Sequence, residues 1–277
     1  MPRFATAFAL IATITAAPVY AQSVETAKVD ALFVALGMPE IIDIMREEGL
    51  EYGTSLAAEM VPGGVSPDWV KAVEAIYDPQ MMLEEVRGAF GEALDSANVD
   101  AMLDFYTSDL GAAIINLEVS ARRAMLDDAV EEASIDTAAI QMMDETPRYL
   151  QVQQFVEAND LIESNVVGSL NSSYAFYTGL IDGGAMPAGV THDTALQDVW
   201  SQEADIREST TEWIYSFLLM AYHPLSDDEL AAYIAFSDTA AGQELTSALF
   251  VSFDGMFEDI SRALGFGVSR FMTTQEL

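Results

Sequence analysis

The chain has 277 residues, with 11 Lys and Arg against 45 Asp and Glu, for a formal net charge of -34. That balance argues against nucleic acid and anionic membrane as partners, since both are bound through Lys and Arg that neutralise phosphate. Cysteine is absent and His192 and His223 are the only histidines, which closes the routes to disulfides, thiol nucleophiles, iron–sulfur clusters and Cys-type zinc sites.

The acidity is not a disorder signal, because 51% of residues are apolar and the mean hydropathy is +0.20. Nor is it a tail. Residues 22–150 hold 26 acids and 7 bases, net -19, and residues 151–277 hold 19 and 3, net -16. Charge spread this evenly describes a solvated surface all round.

The first element is a secretory signal peptide over residues 1–21. Arg3 supplies the positive start and Phe4 to Thr15 the apolar segment. Val19-Tyr20-Ala21 offers the small-residue cleavage site, leaving Gln22 as the new terminus. A single Arg favours the general secretory route, and the lack of Cys leaves no lipoprotein anchor. The expected address is the bacterial periplasm, with no transmembrane segment in the mature chain.

Beyond it, nearly every stretch reads as helix, and the predicted fold is all-α. Helices are expected over Val24–Leu36 and Pro39–Met60, with a break at Val61-Pro62-Gly63-Gly64-Val65. Ser66-Pro67 and Asp78-Pro79 pair a capping side chain with Pro at the first helical position. Pro147 to Tyr177 reads as one long helix, with Leu150, Phe155, Ile162, Val166, Leu170 and Tyr174 along one stripe, and Ile181 to Gly189 as a loop. Trp213 to Met220 is apolar nearly all round, as in a helix buried on every side or one lining a cavity. Ser226-Asp227-Asp228-Glu229 has capping-box spacing.

One element recurs. Leu103-Asp104-Phe105-Tyr106-Thr107-Ser108-Asp109-Leu110-Gly111 aligns with Ile234-Ala235-Phe236-Ser237-Asp238-Thr239-Ala240-Ala241-Gly242 at an offset of 131. Each copy runs into an amphipathic helix, through Ile114, Leu117, Ala121 and Met125 in one and Leu245, Leu249, Phe253 and Met256 in the other. Ser108 or Thr239 is placed to cap that helix. Gly there costs up to about 1 kcal/mol against Ala, so Gly111 and Gly242 point to close packing of the preceding turn. The reading is an internal duplication of two similar multi-helix units, 22–150 and 151–277, packed together.

The Phe-Tyr-x-Ser-x-x-Gly element, with a Leu-Ser-x-x-Glu-Leu helix start, resembles the bacterial family called domain of unknown function 2059. Phe105-Tyr106-Thr107-Ser108-Asp109-Leu110-Gly111 carries the first motif, and Leu225-Ser226-Asp227-Asp228-Glu229-Leu230 the second. Each half departs from the family in the other motif: Ala97-Asn98-Val99 lacks the start and Phe236-Ser237 lacks the Tyr. The resemblance covers about 60 residues in each half. It implies an exported helical protein and assigns no activity.

Searches for chemistry return no site. Zincin spacing is absent, and Gly189 and Met220 stand where a di-iron Glu-x-x-His pair needs Glu. His223 is read as a helix C-terminal residue and His192 as a loop residue. Nucleophile elbows, phosphate loops and calcium loops are missing. Gly265-Phe266-Gly267 has neither a third glycine nor a preceding strand. Glu157-Ala158-Asn159-Asp160 reads as an exposed helix face. Glu47-Glu48, Glu84-Glu85, Asp127-Asp128 and Glu131-Glu132 read as exposed repulsive pairs, the last two as an acidic ridge with a weak claim on divalent cations. Arg122 lies four residues after Glu118, the spacing of an ordinary helix ion pair. No residue is assigned a catalytic, cofactor-binding or metal role, and no cofactor is implied.

The function that follows is a non-catalytic periplasmic module that binds a partner protein or a small apolar ligand in a groove between its halves. Met81-Met82 and Met142-Met143 read first as core filler, with an adaptable binding surface as the alternative. The alternative is a carboxylate-based hydrolase of envelope material, which requires clustered, buried carboxylates with raised pKa values in a cleft. Cation buffering by the acidic surface is the third possibility.

Overall fold

Helix starts that the sequence marks with a side-chain cap are where the chain turns into helix. The computed structural model describes residues 17–94, 98–187 and 189–273, and among them lie thirteen helices and no strand. The first half runs α1 (Ala17–Ala35), α2 (Met38–Met60), α3 (Pro67–Ile76), α4 (Pro79–Ala93), α5 (Val99–Tyr106), α6 (Asp109–Ala124) and α7 (Asp128–Met143). The second runs α8 (Pro147–Ala158), α9 (Leu161–Asp182), α10 (His192–Trp200), α11 (Glu203–Ala221), α12 (Asp227–Ser237) and α13 (Ala240–Thr273). Residues 1–16 of the predicted signal peptide lie outside the described residues, and α1 is continuous through the predicted cleavage point at Ala21.

The predicted caps form as hydrogen bonds. Ser66 Oγ accepts from the Trp69 amide at 3.2 Å, and Asp78 Oδ1 accepts from the Gln80 and Met81 amides at 3.0 Å. Ser226 and Glu229 close a reciprocal capping box at the start of α12. A second box, Thr191 with Thr194, starts α10 and makes His192 its first helical residue instead of a loop residue.

The long helix expected over Pro147–Tyr177 is two helices. Asn159 and Asp160 interrupt it, with Asp160 in the left-handed region at φ 49°. Asp and Asn tolerate that conformation better than other non-glycine residues. The break is also held from outside. Asn159 is 6% exposed; its Nδ2 donates to Phe155 O at 2.9 Å, and its Oδ1 accepts from Thr246 Oγ1 at 2.8 Å. Gln243 Nε2 donates to the released Ala158 carbonyl at 2.6 Å. Two side chains of α13 thus occupy the break, and the supposed exposed face at 157–160 contains a buried asparagine. The stripe divides accordingly: Leu150 is exposed, Phe155 enters the main core, and Val166 and Leu170 join Val199 in a smaller cluster.

The main core is continuous through both halves of the chain. Its helices interleave: α4 packs on α13, while α7 packs on α11. Within the halves, α1 packs on α5 and α8 on α12. The longest element, α13, lies against α9 in the same direction. Gly168 meets Asp254, Gly179 meets the Arg262 carbonyl, and Gly265 meets the Phe176 carbonyl. Without Gly179 and Gly265 the two helix axes could not approach at backbone distance. Helix α11 is enclosed as its sequence predicts, with every residue from Trp213 to Met220 buried or half-buried.

Candidate functional site

The two recurring turns meet in the middle of the molecule. Ser108 Oγ accepts from the Gly111 amide at 3.1 Å and donates to Phe105 O at 2.6 Å. Thr239 Oγ1 makes the same pair of bonds, from the Gly242 amide at 3.1 Å and to Phe236 O at 2.6 Å. A Cβ on Gly111 would run into the Phe105 carbonyl, and one on Gly242 into the Phe236 carbonyl. Close approach of the turn to the helix it starts is therefore the reason for glycine at both places. Phe105 and Phe236 stack on each other, ring centroids 4.0 Å apart and planes 9° apart.

Beside that stack sits a carboxyl largely removed from water. Glu118 of α6 is half-buried, with its carboxyl end turned onto tyrosines from three other segments. Tyr222, which caps α11, donates to Glu118 Oε1 at 2.6 Å, and Tyr233 of α12 donates to the same oxygen at 3.3 Å. The Tyr233 hydroxyl is 3.4 Å from that of Tyr106 on α5. Phe155 of α8 packs on both Tyr222 and Tyr233. Removal from water raises the pKa of Glu118 to about 7, against the lowering effect of the two phenol hydrogen bonds. Burial likewise holds Tyr106, Tyr222 and Tyr233 above the ordinary phenol value.

Glu118 is therefore not the partner of Arg122. Arg122 reaches Glu48 of α2 at 2.6 Å and lies over the Trp213 ring, 4.6 Å from its centroid, while Arg123 reaches Glu47 at 3.4 Å. The pair Glu47-Glu48, expected to be repulsive and solvated, is matched residue for residue by Arg122-Arg123. The signal for Glu118 was present in its spacing: Ile114, Glu118, Ala121 and Met125 fall on one helical stripe, and its three apolar members are buried.

The other candidates are dispersed. Asp127 caps α7, accepting from the Ala129 amide at 2.9 Å. Among the described residues no three His, Asp or Glu are grouped to hold a metal ion. Glu85 of α4 faces Asp259 of α13; burial and then that charge raise its pKa. His223 follows the end of α11, where the sequence places it, and His192 Nε2 is 4.0 Å from Asp182, which is already held by Arg262 at 2.7 Å.

A groove of about 420 Å³ runs between α7 and α11, one helix from each half of the chain. Ile135, Ala138, Ala139 and Met142 of α7 and Ala204 of α11 give it an apolar lining. Arg207, Glu208 and Glu212 of α11 form its charged edge. Of the predicted methionine pair, Met142 lines the groove, whereas Met143 is 77% exposed and is not part of its lining. A second cleft, about 350 Å³, lies between α9 and α13 over the Asp182–Arg262 ion pair.

Residues 80–139 match the family model of DUF2059, described as an uncharacterized protein conserved in bacteria. This segment carries the DUF2059 pattern. It spans α4 to most of α7, and so includes the Phe105–Gly111 turn, Glu118 and Ile135, Ala138 and Ala139 of the groove; Met142 and the turn at Phe236–Gly242 lie outside it. Comparison with curated proteins and with solved structures finds no match. No helix among the described residues is long and apolar enough to cross a membrane.

Proposed function

We propose that this protein is an exported periplasmic binding module, built from two related halves and without catalytic activity, whose α7–α11 groove receives a partner. The observation that carries the reading is the groove itself, an apolar trough bordered by charge. Mostly apolar concavities with a few placed polar groups are the usual form of binding sites. The equivalent caps and glycines of the two turns support descent of the halves from one unit, and the segment Arg3 to Ala21 supports export.

The carboxylate hydrolase is the weaker reading. Glu118, the carboxyl it would need, is engaged by Tyr222 and Tyr233 and lines neither described cleft. The test is a photo-crosslinking residue placed at Ala139 or Ala204 in cells, compared with one at Val34 on the exposed side of α1. A discrete crosslinked species from the groove positions, in the periplasmic fraction, is the expected result. Equal or absent labelling at both places would reject the module, and retention in the cytoplasm would reject export.

A further inference from the structure

We propose that the occupant of the α7–α11 groove is a cationic amphipathic helix of a partner protein, an inference that rests on the groove being the binding site. The shape argues for a helix. The trough is formed by two helices of 16 and 19 residues, and such a pair offers the ridges between which a third helix lays its apolar face.

The charge argues for a basic partner, and it does so locally. Bases are scarce, and those in resolved ion pairs between helices are committed to particular acids: Arg122 and Arg123 to Glu48 and Glu47, Arg87 to Asp30, Arg148 to Asp227 and Arg262 to Asp182. Among the described residues lining the groove the one cation is Arg207, held by both oxygens of Glu163, at 2.7 and 2.9 Å, and by Glu203 at 2.7 Å. Its charge is spent inside the protein. Glu208 and Glu212 line the groove one turn apart on α11, opposite the apolar α7 wall. Apolar lining with an uncompensated acidic border selects a helix that is apolar on one face and flanked by Lys or Arg. An acidic or neutral helix would bring like charge, or none, to the same border.

The experiment uses the mature chain and three labelled 18-residue peptides: a Leu/Lys amphipathic helix, a scrambled peptide of the same composition, and an analogue with Glu for Lys. The expected result is binding of the Leu/Lys helix at least tenfold tighter than the scrambled peptide. Ala139→Trp and Ala204→Trp, which fill the groove from opposite walls, should each weaken it about tenfold with unchanged circular dichroism. Glu208→Gln with Glu212→Gln should weaken it severalfold and flatten its salt dependence. Equal binding of the scrambled peptide, or binding insensitive to both Trp variants, means diffuse attraction to an acidic surface and overturns the proposal. If the Glu analogue binds and the Trp variants abolish that binding, the groove stands as a site and only its cationic preference falls. If no peptide shows binding that the Trp variants weaken, the proposal falls, while the in-cell crosslink independently decides the wider reading.

Discussion

Phe105 and Phe236, separated by 131 residues in the chain, lie face to face with centroids 4.0 Å apart and planes 9° apart. They join the two turns into a single contact packed against the core. Replacing either with Ala should cost about 3 kcal/mol, the low end for a buried Phe because both rings are half-buried. A double-mutant cycle should return a coupling of about 1 kcal/mol, typical of an aromatic pair. Strict additivity in urea unfolding would show that the stack adds nothing beyond burial.

The glycines give a test of opposite signs. Gly111→Ala and Gly242→Ala place a methyl group against the Phe105 and Phe236 carbonyls and should destabilise by about 2 kcal/mol or more. Gly88 and Gly255 are also within helices but have open space around the Cβ position. Ala at either should stabilise by up to about 1 kcal/mol. Thermal unfolding of the four variants would check both signs at once.

Glu118 should make stability depend on pH in a defined direction. Its folded pKa, about 7, lies above the ordinary 4.5, so between these values the native state holds the proton more tightly than the unfolded chain. The contribution of the protonated carboxyl is full below about pH 4.5, declines as pH rises through 7, and is level above that. The upper limit of the change is about 3 kcal/mol, at 1.36 kcal/mol per pH unit. Glu118→Gln retains acceptance from Tyr222 and Tyr233 without the charge. Relative to this variant, the wild type should lose stability between pH 5 and pH 8 in denaturant titrations. Parallel profiles would show that the carboxyl titrates normally.

Adjacent arginines should differ in weight. Arg122 combines the Glu48 ion pair with a place over the Trp213 ring and is the less exposed of the two. Arg122→Ala should cost about 1–3 kcal/mol, since it removes a partly desolvated pair and a cation–π contact. Arg123→Ala breaks an exposed pair at 3.4 Å and should change stability by about 0.5 kcal/mol or less. Equal losses by chemical denaturation would show that the Trp213 contact carries no energy.

What the sequence discloses follows from the range of each interaction. Caps at Ser66, Asp78 and Ser226 and the glycines at 111 and 242 are set within a few residues, and the structure realises each of them. Arg122 was misassigned because the helical neighbour Glu118 is visible in the sequence, whereas Glu48, 74 residues away, is chosen by packing. The α8–α9 break was hidden for the same reason. Asn159 and Asp160 permit it locally, but Gln243 and Thr246 stabilise it from a distant helix. Of the groove only Met142 is marked in the sequence; the apolar stretch Trp213–Met220 lies beyond its α11 wall of Ala204 to Glu212, and nothing local places α7 beside α11.

The length and position of α13 govern when this fold can close. Its 34 residues are the last described helix in the chain, yet α4 of the first half and α9 of the second both pack on it. A chain emerging amino terminus first must hold α4 and α9 without their shared neighbour until that helix arrives. Neither half is therefore expected to reach its native state alone, and the core closes only once α13 is in place between α4 and α9.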